Sequence, residues 1–376
     1  MSKENLFTTL EKSPVFAMSL GSKELFHSNV WAWMIKKYPQ YATVFFKDIN
    51  VDMIDTRKIK REQGNRDLTI HIKNADDVYV IENKFKSYPD KDQLEKYTEK
   101  LKGKLVKGCL TYMIPPVFDE IEKWNHLSYE KLCEDIQSLS VTDIDPFDKA
   151  VIDEYCKVLD NLIQVLSFGE VGNDNDTFTF VAPSNYKNLR IHDVYSKIMC
   201  NRFMQYYTKN CQKDSVGEYS FICEPDYSNQ NANLTIKYQR GDEGGDMTAI
   251  GIQIQGNDIR HFVEITKNGC NVTQKKDDLF KGFTKDWFDE DFDQAQKEIS
   301  LLGETYKTNM NPKPENQGKY NAFKDKNNNG IFIYQHYNVP TNYTYKDAAE
   351  CFDKTLQYVL DEDLLTRLDQ VYKELN

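Results

Sequence analysis

No segment of the sequence stays apolar for long, and this absence bears on where the protein works. Nothing approaches the roughly 18 consecutive apolar residues of a membrane-spanning helix. The opening residues, MSKENLFTTLEKSPVFAMSL, mix charged and apolar side chains and lack the sustained apolar stretch of a secretory signal. The sequence therefore predicts a cytoplasmic protein without a membrane segment.

Closely spaced cysteine pairs are also missing. The eight cysteines include no CxxC and no paired spacing, which excludes zinc knuckles and the disulfide frameworks of small secreted domains. The chain does have material for a core, since 40% of its 376 residues are hydrophobic and 13% are aromatic. That composition excludes a disordered chain, and the length allows two domains.

Positive charge is in short supply, with 48 Lys and Arg against 59 Asp and Glu and a net charge of −11. A protein that coats nucleic acid without specificity needs a basic surface, so the balance disfavours this class. An enzyme that acts on nucleic acid through a local basic groove remains compatible with it. Five cations just before Asp67 form either a patch that contacts a phosphate backbone or a solvated loop: Arg57, Lys58, Lys60, Arg61 and Arg66.

Hydrophobic spacing predicts the secondary structure of the first half. Residues 22–37 form an amphipathic helix that Ser22 can cap. Residues 67–114 alternate between apolar runs and turn signals in the order β-β-α-β. A long amphipathic helix follows from Asp145 to Ser167. The first half is therefore predicted to be an α/β domain.

A glycine- and acid-rich segment, GEVGNDND at residues 169–176, predicts a linker. It separates an N-terminal domain, residues 1–168, from a C-terminal domain, residues 177–376. The second domain is predicted to be an α+β module with a helix over 190–209, five strands, a helix in DWFDEDFDQAQKEISLL and a closing helix from Tyr345. No catalytic motif stands out in it.

Charged side chains stand at the ends of two neighbouring predicted strands. Asp67 begins the first strand and Glu82 and Lys84 end the next, so a short turn between antiparallel strands brings them close. Glu82 and Lys84 are two residues apart and project from one face. Two carboxylates can hold Mg²⁺, and the lysine can hold the attacking water or stabilise charge on a phosphodiester. As isolated residues, the same side chains could form only a surface ion pair.

Two weaker groups of candidates lie near this cluster. Gln93 and Tyr97 are four residues apart on the next predicted helix and so share a face. Their amide could orient a phosphate or the lysine, and the phenol could contact the substrate backbone or a base. The alternative is an ordinary exposed helical pair. His27 either orients a ligand or the substrate phosphate, or is a helix-face histidine without such a role.

These residues together resemble the PD-(D/E)XK nuclease superfamily. The resemblance consists of Asp67, Glu82-x-Lys84 and Gln93-x-x-x-Tyr97 in a frame of strands and helices. Three segments, ELFHSNVWAWMI, IENKFKSYPDKDQLEKY and WNHLSYEKL, are similar to a mostly uncharacterised bacterial family within it. The resemblance extends over about residues 5–167. Arg66 departs from it, because the motif usually has proline at this position.

The resemblance implies a restriction-endonuclease-like domain, in which a mixed β-sheet core is flanked by helices, followed by the C-terminal α+β domain. It implies that Asp67 and Glu82 bind Mg²⁺ or Mn²⁺, with the carbonyl of Asn83 and the carboxylate of Glu24 as further ligands. Lys84 would be the catalytic lysine. Substrate contacts would come from Gln93, Tyr97, His27, Arg57, Lys60 and Arg61.

The function implied is metal-dependent hydrolysis of phosphodiester bonds, with DNA as the expected substrate. Host defence, a mobile element or DNA repair are equally compatible settings. The rival is a nuclease-fold protein that binds its partner without catalysis. The two differ in whether Asp67, Glu82 and Lys84 converge with room for a metal ion, or whether Lys84 neutralises Glu82 in a closed interior.

Overall fold

Two compact units make up the chain in the computed structural model. The first consists of Met1–Phe168 and Ala182–Ile198, and the second of Gly169–Val181 and Met199–Asn376. The sequence-based boundary gives residues 182–198 to the second domain, so that domain division stays a prediction. The structure describes residues 3–169, 171–211, 213–225, 232–242, 245–256, 258–283, 287–288, 321–324, 329–338 and 343–375.

Helices of the first unit begin at capping residues. Ser22 accepts a hydrogen bond from the N–H of Leu25, and Asp90 accepts one from the N–H of Gln93, so both residues act as N-caps. The described helices up to the second unit are α1 (Lys3–Lys12), α2 (Pro14–Met18), α3 (Lys23–Lys37), α4 (Ala42–Phe45), α5 (Lys91–Lys100), α6 (Tyr129–Ser138), α7 (Pro146–Leu166), α8 (Ser184–Asn188) and α9 (His192–Asn210).

A five-stranded mixed sheet lies at the centre of the first unit. Strands β1, β2 and β3 pair antiparallel, whereas β3, β4 and β5 pair parallel. The strands, in spatial as well as chain order, are β1 (Lys60–Gln63), β2 (Arg66–His71), β3 (Val78–Lys84), β4 (Leu105–Tyr112) and β5 (Trp124–Ser128). The predicted β-β-α-β order of residues 67–114 is present as β2, β3, α5 and β4.

Strand β3 is covered on both faces. Val78 and Val80 pack with Leu94 and Tyr97 of α5 in one hydrophobic cluster. On the opposite face, the side chain of Asn83 reaches α3. A strand buried on both sides explains the continuous apolar run that precedes Glu82. The predicted α/β class, a mixed restriction-endonuclease-like sheet flanked by helices, is confirmed.

The second unit contains a six-stranded sheet whose neighbouring strands all pair antiparallel. Its spatial order is β10-β11-β9-β8-β7-β6. The strands are β6 (Ser220–Pro225), β7 (Asn233–Gly241), β8 (Met247–Gln255), β9 (Asp258–Thr266), β10 (Asn321–Lys324) and β11 (Gly330–Asn338), and the helices are α10 (Lys276–Phe283), α11 (Tyr345–Asp361) and α12 (Leu364–Glu374).

The predicted elements of the second half fit this α+β arrangement. All five predicted strands and the closing helix from Tyr345 are present, and β10 was not predicted. The helix predicted in DWFDEDFDQAQKEISLL lies outside the described residues except for Trp287 and Phe288. Within the described part of the chain, no helix has both the length and the apolar composition needed to cross a bilayer.

Candidate active site

The register of β2 and β3 brings two acidic residues together. Leu68 is opposite Ile81, so one further step along the ladder places Asp67 opposite Glu82. Directly opposed residues of an antiparallel pair have their side chains on the same face. The N–H of Asn83 also donates to Asp67 Oδ2 at 2.6 Å, which ties the end of β2 to the end of β3. Both carboxylates therefore lie at one edge of the sheet.

Glu82 is buried at this edge, with 2% of its surface exposed. Its Oε1 accepts hydrogen bonds from Lys84 Nζ at 3.0 Å and Gln93 Nε2 at 2.9 Å. Its Oε2 is buried without a hydrogen-bond partner among the described residues. Burial raises the pKa of Glu82, although Lys84 opposes the rise. The charge of Glu24 adds to the rise in the pKa of Glu82, and the peptide N–H of Asp67 opposes it.

Lys84 lies two residues from Glu82 and on the same face, with 13% of its side chain exposed. Burial by itself lowers the pKa of an ammonium group. The charge and hydrogen bond of Glu82, helped by Glu24 and Asp67, outweigh burial and raise the pKa of Lys84. The lysine therefore remains a cation at neutral pH.

Asp67 has a strongly raised pKa. Burial, and next the charge of Glu82, raise its pKa to about 8, against which the N–H of Asn83 acts only in part. Two carboxylates that repel each other in a partly buried site favour a proton or a cation between them. This arrangement is typical of a site poised for a bound cation.

Removing the Asp67 charge should make the fold less sensitive to pH. A carboxyl whose pKa rises from about 4 to about 8 on folding destabilises the folded state as the pH increases between these values, because the unfolded chain releases the proton first. In EDTA, we expect Asp67→Asn to melt on the order of 10 °C above the unchanged protein at pH 8.5, with the gap closing toward pH 4. Thermal melts across this range measure it, and a constant gap would contradict it.

Glu24 is held by the loop that follows β3. Its Oε1 accepts hydrogen bonds from the N–H groups of Lys86 and Ser87, both at 2.9 Å. Across the described ranges, no group of three or more His, Cys, Asp or Glu side chains is arranged to hold a metal ion. The structure thus brings Asp67 and Glu82 together, whereas peptide N–H groups engage Oε1 of Glu24, and its role as a metal ligand stays a prediction.

The side chain of Asn83 has a role that the sequence did not indicate. Its amide nitrogen donates to the carbonyl of Glu24 at 2.7 Å and to Ser28 Oγ at 3.2 Å. Its amide oxygen accepts a hydrogen bond from the Tyr129 hydroxyl at 2.6 Å. These contacts fix the backbone between Glu82 and Lys84. An amide side chain in an apolar strand was the available signal, but its partners lie far away in sequence.

Gln93 and Tyr97 lie together beside Glu82. Gln93 Nε2 donates to Glu82 Oε1 and also to the Tyr97 hydroxyl, at 2.6 Å. Tyr97 is only 3% exposed and packs in the hydrophobic cluster under β3. Its hydroxyl donates to the carbonyl of Asn65. A direct contact between Tyr97 and a nucleotide base does not fit this placement.

His27 is a core residue. It is 0% exposed, and its Nδ1 lies 3.0 Å from the hydroxyl of Tyr155. Phe85 and Tyr129 pack against its ring, with centroid distances of 4.9 and 5.1 Å. Burial, and to a smaller extent Lys23, lowers its pKa well below the usual value, so the ring is neutral. The suggested contact with a ligand or phosphate does not fit, because the folded core covers this face of α3.

The three cations predicted to bind substrate are exposed at the edge of the sheet. Arg57 Nε lies 3.3 Å from Asp55, which neutralises part of its charge. Lys60 is opposite Thr69 in the β1–β2 ladder and so shares the face of Asp67, whereas Arg61, opposite Leu68, points to the other face. Of these two strand residues, only Lys60 therefore lies on the acidic face.

Comparison with known proteins agrees with this geometry. Residues 15–157 match the family model of the PD-(D/E)XK nuclease superfamily, and this span contains Asp67, Glu82 and Lys84. No significant match was found among curated proteins or among solved structures. The resemblance predicted from the motif is confirmed over these residues. Over residues 15–157 this chain is therefore similar to the PD-(D/E)XK nuclease superfamily.

Proposed function

We propose that the first unit hydrolyses phosphodiester bonds in DNA with the help of a divalent cation, Mg²⁺ or Mn²⁺. The observation that carries the proposal is the convergence of Asp67, Glu82 and Lys84 at the edge of the sheet, within the region that matches the nuclease superfamily. The cytoplasm of a bacterium is the proposed location. Host defence, mobile-element transfer and repair are all compatible with this chemistry.

Asp67 and Glu82 are the residues that would hold the cation. Carboxylate oxygens are the ligands that Mg²⁺ and Mn²⁺ prefer. Two observations favour the fit: the raised pKa of Asp67, and the buried Oε2 of Glu82, which has no hydrogen-bond partner among the described residues. When bound, the cation would supply a Lewis acid that polarises the phosphodiester and lowers the pKa of water. The carbonyl of Asn83 remains a proposed additional ligand.

Lys84 would stabilise negative charge on the reacting phosphate. Glu82 raises the pKa of Lys84, so its ammonium group is a poor proton acceptor at neutral pH. A fixed cation beside a phosphate in a partly buried site stabilises the charge that builds up on the phosphate oxygens during displacement. The raised pKa therefore favours this role over deprotonation of the attacking water.

The purified 376-residue protein tests the proposal directly. Linear, circular, single-stranded and branched DNA would each be incubated with the protein in Mg²⁺ or Mn²⁺, and the products separated by gel electrophoresis. We expect at least one form to be cut, and EDTA to stop the cutting. Matched RNA substrates in the same assay decide between DNA and RNA.

One observation favours the rival function, a nuclease-fold protein that only binds. Lys84 pairs with Glu82 at 3.0 Å in a site where Glu82 is 2% exposed, which is the neutralised arrangement expected of an inactive copy. Asp67 remains without a cationic hydrogen-bond partner among the described residues, and this favours catalysis. Metal-independent DNA binding, without cutting of any substrate form, would establish the rival.

Lys60 should contribute more to DNA binding than Arg61. Because Lys60 shares the face of Asp67, we expect Lys60→Ala to weaken DNA binding and to reduce the slope of log K against log salt by about one unit, as for one lost phosphate contact. Arg61→Ala is the matched control, since it removes a cation from the same strand but the opposite face. Fluorescence anisotropy at several salt concentrations measures the DNA affinity and the salt slope of both variants. An unchanged slope in Lys60→Ala would show that Lys60 does not contact the DNA backbone.

A further inference from the structure

A continuous chain of hydrogen bonds runs from the turn between β1 and β2 to the acidic cluster. The Tyr97 hydroxyl donates to the carbonyl of Asn65. Gln93 Nε2 donates to the Tyr97 hydroxyl at 2.6 Å and to Glu82 Oε1 at 2.9 Å. Lys84 donates to the same oxygen at 3.0 Å. Helix α5 thus connects a surface turn with the two residues at the centre of the site.

The turn belongs to the β1–β2 hairpin, residues 60–71, which carries Lys60. Gly64 and Asn65 have φ angles of 64° and 63°. Both therefore occupy the left-handed region that the two central residues of a type I′ hairpin turn require. Asn65 is exposed, and the flanking pair is Gln63 and Arg66. A two-residue turn at the edge of a sheet has few internal contacts, so an external anchor for its carbonyl restricts the position of the whole hairpin.

The hydrogen-bond donors of Gln93 and Tyr97 all have acceptors within the protein. Gln93 Nε2 has two hydrogens, and these serve Glu82 and Tyr97. The single hydrogen of the Tyr97 hydroxyl serves Asn65, and its ring is held by Val80 and Leu94 in the core. Neither group has a donor left for a phosphate or a base. The two side chains are suited to hold protein parts in place.

We propose that Gln93 and Tyr97 are positioning residues that fasten the β1–β2 hairpin to Glu82. Tyr97 holds the turn through the carbonyl of Asn65. Gln93 bonds both the Tyr97 hydroxyl and Glu82 Oε1, the oxygen that Lys84 also binds. Lys60 and the acidic cluster thereby keep a constant separation. The link itself is a property of the free protein, and its effect on substrate binding rests on the proposed nuclease function.

Hydrogen–deuterium exchange of the free protein in EDTA tests the link without any substrate. Tyr97→Phe removes the hydroxyl and keeps the ring, so the core should remain packed. We expect amides of residues 60–71 to exchange about fivefold faster, the size of effect that one neutral hydrogen bond has. Tyr79→Phe is the matched control: this half-buried tyrosine of β3 makes no hydroxyl hydrogen bond to the described residues. Its hairpin exchange should equal that of the unchanged protein.

Two exchange results would overturn the proposal. One is unchanged exchange of residues 60–71 in Tyr97→Phe, and the other is equal acceleration in Tyr79→Phe, which would show general loosening.

Gln93→Met should leave hairpin exchange unchanged, because only the phenol touches the turn. If the protein cuts DNA, Tyr97→Phe should raise KM about fivefold with little change in kcat, whereas Gln93→Met should lower kcat. Faster exchange in a protein that cuts no substrate would support the link and reject the nuclease function.

Discussion

Replacing Lys84 with alanine is expected to reduce metal-dependent DNA cleavage by about 10²–10³-fold, the effect of losing one fixed group that stabilises charge in the transition state. DNA binding should change by less than about twofold, because most binding energy comes from cations along the phosphate backbone. Lys84 is 13% exposed and pairs with Glu82, so its reach is limited to the acidic edge. Initial cleavage rates and anisotropy with the same oligonucleotide separate the two effects.

Lys86→Ala is the matched control for this experiment. Lys86 follows Lys84 by two residues, but its Nζ pairs with Asp193 at 2.9 Å and makes no contact with Glu82. We expect this variant to retain cleavage within about threefold, as for loss of a half-exposed ion pair. Cutting that survives undiminished in Lys84→Ala would imply another catalytic site or a contaminating nuclease. Equal losses in both variants would point to an effect on the fold, which thermal melts would detect.

Mn²⁺ is expected to raise the melting temperature through Asp67 and Glu82. A ligand that binds only the folded state stabilises it by about 2.7 kcal/mol at 100 times its Kd. For a unit of this size, that corresponds to a rise of about 5–10 °C. The reason is electrostatic: burial, and next the charge of Glu82, raise the pKa of Asp67 to about 8, and a bound cation would offset both effects. Glu82→Gln keeps the shape of the side chain and removes its charge, so this variant should lose the response.

Glu24→Gln serves as the matched control for the metal experiment. The Glu24 carboxylate is occupied by the N–H groups of Lys86 and Ser87, and a glutamine oxygen can still accept these bonds. We therefore expect Glu24→Gln to retain the Mn²⁺ response. Loss of the response in both variants would make Glu24 a ligand, as the family resemblance implies. An undiminished response in Glu82→Gln would place the metal elsewhere.

Local sequence rules were sufficient for α3, α5, α7 and the strands β2 to β4, and for the central cluster. Ser22 and Asp90 cap their helices because short polar side chains can bond the free N–H groups of a first turn. The placement of Glu82 and Lys84 on one face follows from the two-residue period of a strand. Their proximity to Asp67 follows from a tight antiparallel connection. Each of these features depends on residues that are neighbours in sequence or across one turn.

Burial altered the interpretation of residues whose spacing alone suggested function. Glu24 and His27 are three residues apart on α3 and so share a face, and a contact with a ligand was considered for each. In the fold, Tyr129 and Tyr155 pack against the imidazole of His27, whereas peptide N–H groups bind the carboxylate of Glu24. Helical periodicity identifies residues that share a face, but it does not reveal what will cover that face.

The sequence by itself therefore determined the class of the first unit, the positions of β2, β3 and β4 and the convergence of Asp67, Glu82 and Lys84. Only the tertiary structure decided which polar groups hold them in place. Asn83 meets Tyr129 across 46 residues, and Tyr97 meets Asn65 across 32. A buried polar atom must find a hydrogen-bond partner, but many are available along the chain. The partner is selected only when distant elements pack together, because packing fixes which groups are close enough to bond.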